Sequence, residues 1–278
     1  MLEMINLLLQ NILRYLYLFL LRFKFNKSQY FNFKDLNFKQ NDFINYKIIK
    51  HYVLKDKFIK NTSIIDIHTF NFLLFYQKIG GKKGIELSKK NVFIWFKKFK
   101  YYNKFPWTED YSSKRLINII YSYDYICSIS NQKEIKIIND ILYFHIKRIL
   151  FEIKRKKNEE ISSFDALALV LIECSKKKLN QHISRKIIDI VNYQVDNISI
   201  HKSYNILEHA KFLNNLIEIK NIFLFYNLKI PKVLDDKILA MTALLGTYRH
   251  DDLSMPLFNG CNNNHNQVIQ KILKVSNF

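Results

Sequence analysis

Side chains that transfer protons and bind anions cluster between positions 248 and 260, where the helical pattern of the sequence stops. A tyrosine is followed at once by Arg249 and His250, and Asp252 lies one residue further on. Tyrosine and histidine can act as general acids or bases, and arginine pairs with carboxylates. A structural interpretation stands beside this one. In it, Arg249 and Asp252 satisfy the end of a helix, and the pair Asn259–Gly260 forms an ordinary turn.

A second polar stretch covers positions 194–204, between two predicted helices. It carries His201, Lys202 and Tyr204 within four residues. The imidazole and the phenol are again proton-transfer groups, and the lysine is a point charge for an anion. The alternative is that His201 and Tyr204 serve only the structure of the loop.

A third segment, positions 105–118, contains Trp107 before a predicted helix and Arg115 inside it. We interpret both residues as packing and helix-dipole positions rather than as parts of a site. His68 and His145 lie on apolar faces of predicted helices and are expected in the core.

The elements that must position these residues are helices. Glycine and proline number 5 and 3, and hairpin architectures need such residues at every tight turn. No proline stands between Pro106 and Pro231, and no glycine between Gly84 and Gly246. Helices joined by polar loops are the architecture that this scarcity favours.

Helical periodicity and capping residues place the individual elements. They predict a helix opened by Asp66 that ends at Gly80–Gly81, a helix over 85–102, and a long helix opened by a capping box at Asn131. Four further helices are predicted over 163–178, 181–194, 204–227 and 232–245. The run Lys154–Lys157 and the acidic residues after it are predicted to form a solvated loop.

These hairpins of similar length predict an all-α fold, an incomplete or closed α/α toroid of stacked helical hairpins. The predicted organisation is an N-terminal helix and irregular segment over 1–65, the toroid domain over 66–260, and the start of a linker over 261–278.

The formal net charge is +20, from 44 Lys and Arg against 24 Asp and Glu. Such a charge attracts nucleic acid, anionic lipid or acidic polysaccharide. Ile, Lys, Asn, Phe and Tyr are all abundant, as expected when the nucleotide composition of a coding sequence drifts towards A and T. We interpret this drift as the main cause of the lysine excess. Three widely spaced cysteines form neither a disulfide framework nor a metal-ligand pattern, so neither a cofactor nor a metal is expected.

The N-terminal 25 residues are apolar but interrupted by Gln10, Asn11 and Arg14. The longest apolar run is too short to span a bilayer, and no signal-peptide pattern is present, so the cytoplasm is the favoured location. We interpret this region as a helix that faces the core or a partner, with an amphipathic helix on a membrane surface as the alternative.

The chain resembles the helical N-terminal domain of heparinase II/III-like proteins in four ordered motifs. Members of one bacterial branch carry L-H-G-F-x-W-L, W…R-L-[IL]-N-W, D-G-G-H-x-S-R-N-P and R-H-G-D-G-G-L-A-x-F-N-G. The matching positions are Ile67 to Leu73, then Trp107 with Arg115 to Asn118, then Asp196 and Lys202, and last Arg249, His250, Asp252 and Phe258 to Gly260.

The resemblance implies a toroid followed by a C-terminal β-sandwich, and cleavage of an acidic polysaccharide by β-elimination. In that reaction a group such as Asn or Arg neutralises a uronate carboxylate, a Tyr or His removes the C5 proton, and another donates to the leaving oxygen. The implied catalytic residues are Tyr248, His250, His201 and Tyr204. The implied substrate-binding residues are Lys202, Arg249, Asp252 and Asn259.

The sequence departs from the family pattern at Asp251, Leu253 and Ser254, which replace glycines, and at Ser199, where the family has histidine. The chain ends where the family would enter the β-sandwich, so a separate β-sandwich domain or chain is a possible partner and the chain alone is expected to be inactive. The alternative function is a non-catalytic helical module that binds polyanions or a partner protein. Nucleic acid is not the expected partner.

Overall fold

The computed structural model describes residues 64–100, 106–107, 109–175, 181–250, 256 and 266–275, together with eight helical residues between positions 5 and 20. These residues are mostly helical and include no β-strand, which confirms the all-α prediction. No helix among them is long and apolar enough to cross a membrane. The remaining residues, including the predicted irregular segment before 64, lie outside this description.

The described helices fall into two compact units. The first unit contains α1 (Ile64–Thr69), α2 (Phe72–Ile79), α3 (Gly81–Phe99), α4 (Glu109–Tyr121), α5 (Tyr123–Cys127) and α6 (Gln132–Arg155). The second contains a 3-10 turn (Asn158–Glu160), α7 (Ser163–Ser175), α8 (Gln181–Gln194), α9 (Ile206–Phe225), α10 (Lys232–Thr247) and α11 (Asn266–Val275). The division falls inside the range 66–260 for which one domain is predicted.

The helix predicted from Asp66 to Gly80 is wrong in one respect, because it is broken into α1 and α2. Phe70 between them has φ of 61°, a left-handed backbone that an aromatic residue rarely adopts. Its ring is fully buried, with its centroid 5.1 Å from that of Trp95. Burial of the ring therefore outweighs the local preference for a continuous helix. The predicted stop at Gly80 is confirmed, since its N–H caps the carbonyl of Tyr76.

The long helix α6 begins as its sequence predicts. The amide of Glu134 donates to Asn131 Oδ1, and the Glu134 carboxylate accepts from the amide of Asn131, both over 3.0 Å. This is a reciprocal capping box. The predicted apolar face is buried as expected, and its members are Ile138, Ile141, Leu142, His145, Ile149 and Ile153.

The run after α6 is only partly the solvated loop that was predicted. Lys156 is buried and donates to Asp165 Oδ2 over 2.6 Å, with side-chain exposures of 7% and 2%. A buried lysine requires such a carboxylate, because an isolated charge away from water is strongly unfavourable. Local polarity alone did not reveal this partner, which lies in α7.

A fully buried arginine organises the first unit. Arg115 of α4 donates from Nε to His145 Nε2 over 2.7 Å, and from Nη1 to the carbonyls of His68 and Pro106. Its guanidinium also lies against the indole of Trp95, 4.1 Å from the ring centroid. Helices α1, α3, α4 and α6 all contribute to this cluster, so one side chain ties together most of the unit.

The tautomers of the two histidines follow from their partners. His145 Nδ1 lies 2.7 Å from the carbonyl of Ile141 and donates to it, which leaves Nε2 free to accept from Arg115. His68 Nδ1 accepts from the indole N–H of Trp95 over 2.9 Å. Both imidazoles are therefore neutral acceptors.

Burial and the neighbouring cation both favour those neutral forms. Desolvation, with a smaller contribution from Arg115, lowers the pKa of His68 to about 4. The same two causes hold the pKa of His145 well below its ordinary value. His68 and His145 are buried, which confirms their expected place in the core, and the burial of Trp107 and Arg115 confirms the packing part of their interpretation.

Replacing Arg115 by lysine is expected to lower the free energy of unfolding of the first unit by about 2–4 kcal/mol. An ammonium group cannot donate to three acceptors in one plane and stack on an indole at the same time. Both tryptophans, Trp95 and Trp107, lie in this unit, so denaturation followed by intrinsic fluorescence reports on it. Arg155→Lys, an exposed change in the same unit, should stay within about 0.5 kcal/mol of the wild type. Equal effects of the two substitutions would contradict the role of the cluster.

The first unit is also expected to lose stability as the pH falls from about 6.5 to 5. Both histidines have folded-state pKa values below the ordinary value of about 6.5, so the unfolded chain binds more protons in this window. Each proton taken up on unfolding gives a slope of about 1.4 kcal/mol per pH unit. The contribution of His68 levels off near its folded pKa of about 4. A denaturation midpoint that did not change between pH 7 and pH 5 would refute this expectation.

Candidate functional site

The loop between α8 and α9, residues Val195–Asn205, is folded by its own hydrogen bonds. Val195 and His201 form an isolated antiparallel bridge, and the amide of Lys202 donates to the carbonyl of Gln194 over 2.9 Å. Within the turn, the amide of Ile200 donates to a carboxylate oxygen of Asp196 over 2.8 Å. The loop is thus a compact turn with a defined backbone.

Two residues of this loop have left-handed backbones that only glycine adopts without strain. Ser199 has φ of 67° and Tyr204 has φ of 51°. Each such residue costs about 1–2 kcal/mol, and the surrounding structure must hold it in place. Ser199 occupies a position where the resembled family has histidine. The family pattern therefore does not predict the backbone conformation of the loop at this residue.

Helices α9 and α10 hold the loop from outside. His209 of α9 accepts from the amide of His201 at Nδ1 over 3.3 Å and donates from Nε2 to the carbonyl of Met241 over 3.0 Å. Lys237 of α10 donates to the carbonyl of Asp196 over 2.7 Å. His209 is buried, so a single imidazole connects the loop and both helices.

The outer face of the loop carries aromatic and basic side chains. Tyr204 is 55% exposed and Tyr193, at the end of α8, is 45% exposed. The ammonium group of Lys202 lies 5.3 Å from the centroid of the Tyr193 ring. Ile198, 71% exposed, adds apolar area at the tip of the loop. We call these four residues the loop patch.

Tyr248, Arg249 and His250 lie directly after α10. Tyr248 caps the helix and is half-buried, whereas Arg249 and His250 are exposed. The amide of Arg249 donates to the carbonyl of Gly246 over 3.1 Å, and the side chains of the three residues form no hydrogen bond within the described chain. Asp252 and Asn259 lie outside the described residues.

The antiparallel pairing of α9 and α10 places both candidate segments at one end of the second unit. Lys220 pairs with Asp235 near one end of the two helices, and His209 contacts Met241 nearer the other. Continuing this register brings the start of α9 and the end of α10 to the same level. Among the described residues of the two segments there is no hydrogen bond from one to the other, so their joint action in one site stays a prediction.

The contacts of the candidate proton-transfer groups favour hydrogen bonding over proton removal. His201 Nδ1 accepts from the amide of Ser203 over 3.2 Å, which places the proton of the neutral ring on Nε2. The hydroxyl of Tyr204 donates to Asp196 Oδ2 over 3.4 Å. Burial is the main cause that lowers the pKa of His201, so the ring is neutral at neutral pH. In this arrangement His201 carries a proton on Nε2 for a ligand, whereas the single hydroxyl proton of Tyr204 is directed to Asp196, so Tyr204 presents an acceptor.

Sequence reasoning missed one member of the loop patch and the two residues that hold the loop from outside. Tyr193 was assigned only to a helix, and His209 and Lys237 were not singled out. The available signal was a histidine one turn inside α9, eight residues after His201, because a polar ring in the buried face of a helix needs partners. The described residues contain no group of three His, Cys, Asp or Glu side chains arranged to hold a metal ion.

Comparison of the chain with protein-family models, curated proteins and solved structures found no match in any of the three.

Replacing His209 by leucine is expected to lower the free energy of unfolding of the second unit by about 2–3 kcal/mol, because the amide of His201 and the carbonyl of Met241 lose their partner. Hydrogen exchange followed by mass spectrometry should show faster exchange over 195–204. His250→Leu, an exposed histidine in the same unit, is the matched control and should leave the exchange rates of that loop unchanged. Unchanged exchange in the His209 variant would contradict the connecting role of this ring.

Proposed function

We propose that the chain is the helical domain of a polysaccharide lyase-like protein, and that the loop patch binds an acidic, uronate-containing polysaccharide. One observation carries the proposal. A loop held by hydrogen bonds from two helices presents the exposed Lys202 beside the exposed Tyr193, and the exposed Tyr204 follows two residues later. Such a loop pays little entropy on binding because its backbone is already fixed. The four ordered motifs in the sequence are the reason for choosing a glycan as the class of ligand.

Three members of the loop patch have a chemical part in this proposal. Lys202 pairs with a uronate carboxylate as a point charge, and the net charge of +20 attracts the polymer over longer distances. Tyr193 and Tyr204 offer rigid faces of large area at low entropic cost. Arg249, at the same end of the second unit, extends the positive surface.

The proposal also includes a toroid architecture and the lyase reaction. Antiparallel hairpins such as α9–α10 are the units from which an α/α toroid is built. For β-elimination, Tyr248 or His250 would remove the C5 proton, and His201 or Tyr204 would donate to the leaving oxygen. The proton that His201 carries on Nε2 supports the donor part for this residue, whereas the hydroxyl proton of Tyr204 is already directed to Asp196.

Binding is tested by affinity electrophoresis of the chain in gels that contain polygalacturonate, alginate or neutral dextran. We expect retardation by the acidic polymers alone, and retardation that decreases with salt. Lys202→Gln should weaken binding about two- to fivefold, the range for one exposed ion pair. Lys229→Gln removes the same charge at the opposite end of the α9–α10 hairpin and should have little effect. Equal losses in the two variants, or binding to dextran, would refute the loop patch as the site.

Cleavage is tested separately, with a β-sandwich domain of the resembled family supplied, by the ultraviolet absorbance of unsaturated product on the same glycans. A rising trace that is lost in Tyr248→Phe would support the lyase reaction. Flat traces together with Lys202-dependent binding would support the alternative that we retain, a non-catalytic module for polyanions. That alternative is favoured by the exposed basic surface and by His201, which presents a hydrogen-bond donor rather than a base.

A further inference from the structure

Eight described residues between positions 5 and 20 are helical, and seven of them are large aliphatic residues exposed to solvent. Their side chains are 47–62% exposed, which is unusual for leucine and isoleucine in a protein with a large buried core. We call them the apolar stripe. Its members are Ile5, Leu8, Leu9, Ile12, Leu13, Leu16 and Leu20.

The spacing of the apolar stripe places its members on one side of a helix. Steps of three and four residues recur from position 5 to position 20, which is the pattern of a continuous helical face. At 1.5 Å per residue the stripe is about 24 Å long. It is shorter than the hydrocarbon core of a bilayer, about 30 Å thick, so it suits a surface rather than a crossing.

Tyr17, the eighth described helical residue, attaches this helix to the first unit. Its ring stacks on that of Phe151 in α6, with centroids 4.1 Å apart and planes 9° apart. Its hydroxyl donates to the carbonyl of Lys147 over 3.1 Å. Because these contacts use the side of the helix next to the stripe, the seven aliphatic side chains remain open to a partner.

The charged residues near the stripe in the sequence favour a partner of negative charge. Between Glu3 and Asp35 the sequence has no acidic residue, whereas it has five basic ones, at Arg14, Arg22, Lys24, Lys27 and Lys34. A second copy of the chain would bring two such basic segments together, each in a chain of net charge +20. Like charges disfavour that pairing, and a surface of opposite charge is favoured.

We propose that the apolar stripe inserts into the interface of an anionic lipid membrane, with the neighbouring basic residues paired to lipid headgroups. Aliphatic residues on one face combined with nearby lysine and arginine are the features of helices that lie in such an interface. The sequence also has phenylalanines at 23 and 25, interleaved with these cations, and phenylalanine is among the apolar residues of helices that lie in a membrane interface.

Sedimentation with vesicles tests the proposal. The full chain is mixed with vesicles of phosphatidylcholine alone or of phosphatidylcholine with phosphatidylserine. We expect co-sedimentation with the anionic vesicles that weakens as salt is raised. The triple variant Leu9→Ser/Ile12→Ser/Leu16→Ser should lower partitioning at least about a hundredfold, because three large apolar side chains no longer enter the interface. Circular dichroism would confirm that the variant keeps its helices.

Leu239→Ser is the matched control, since this leucine is 61% exposed on α10 and lies outside the stripe. It should sediment like the wild type. Equal loss in the control and the triple variant would overturn the proposal. So would a dimer by light scattering that the triple variant dissociates, combined with no vesicle binding, because the stripe would then be covered by a second copy. These residues are distinct from the loop patch, so either proposal can fail without the other.

Discussion

The first unit depends on a buried cation whose described hydrogen-bond partners are all neutral. Arg115 donates from Nε and Nη1 to two carbonyls and one imidazole and lies against two indoles, while Nη2 has no hydrogen-bond partner among the described residues. These hydrogen bonds and ring contacts offset part of the cost of desolvation. The two lysines that are comparably buried, Lys89 and Lys156, instead pair with the carboxylates of Glu134 and Asp165. Buried cations are thus accommodated in two ways. A carboxylate within the first unit pairs with Lys89 and one within the second unit pairs with Lys156, whereas of the three cations only Arg115 joins four helices.

Neutral acceptors make this cluster sensitive to protonation. A proton on His145 would turn the acceptor of Arg115 Nε into a second donor, and a proton on His68 Nδ1 would displace the indole N–H of Trp95. Either event places a new positive charge beside the guanidinium in a buried site. The neutral forms of both rings are therefore a requirement of the packing, and the lowered pKa values are its result.

Patterns that are local in sequence predicted the all-α class and most of the described helices, whereas the toroid arrangement stays a prediction. The scarcity of glycine and proline identified an all-α protein, and the boundaries of α8 follow those read from periodicity. The break at Phe70 could not be predicted, because it depends on a contact with Trp95, 25 residues away. The ion pair of Lys156 was missed for the same reason.

For the candidate site, the sequence identified the residues of the loop, and the structure added how they are held. His201, Lys202 and Tyr204 lie in one turn, as their spacing requires. The hydrogen bonds that hold this turn in place come from His209, which lies in a separate helix. The convergence of Tyr248 and His250 with this turn depends on side-chain positions that neither periodicity nor motif order determines. The loop patch and the residues after α10 lie at the same end of the second unit. Topology determines this shared end but no contact between their side chains.

The cluster around Arg115 also has a consequence for how this sequence can evolve. The 44 basic residues comprise 37 lysines and 7 arginines, a ratio that fits mutational pressure towards A and T. A single G-to-A change converts an AGA arginine codon into an AAA lysine codon, and exposed positions tolerate it. At position 115 the product would lack the planar donor geometry that three acceptors and two indoles require. Purifying selection at this codon would then act against the nucleotide bias of the whole gene.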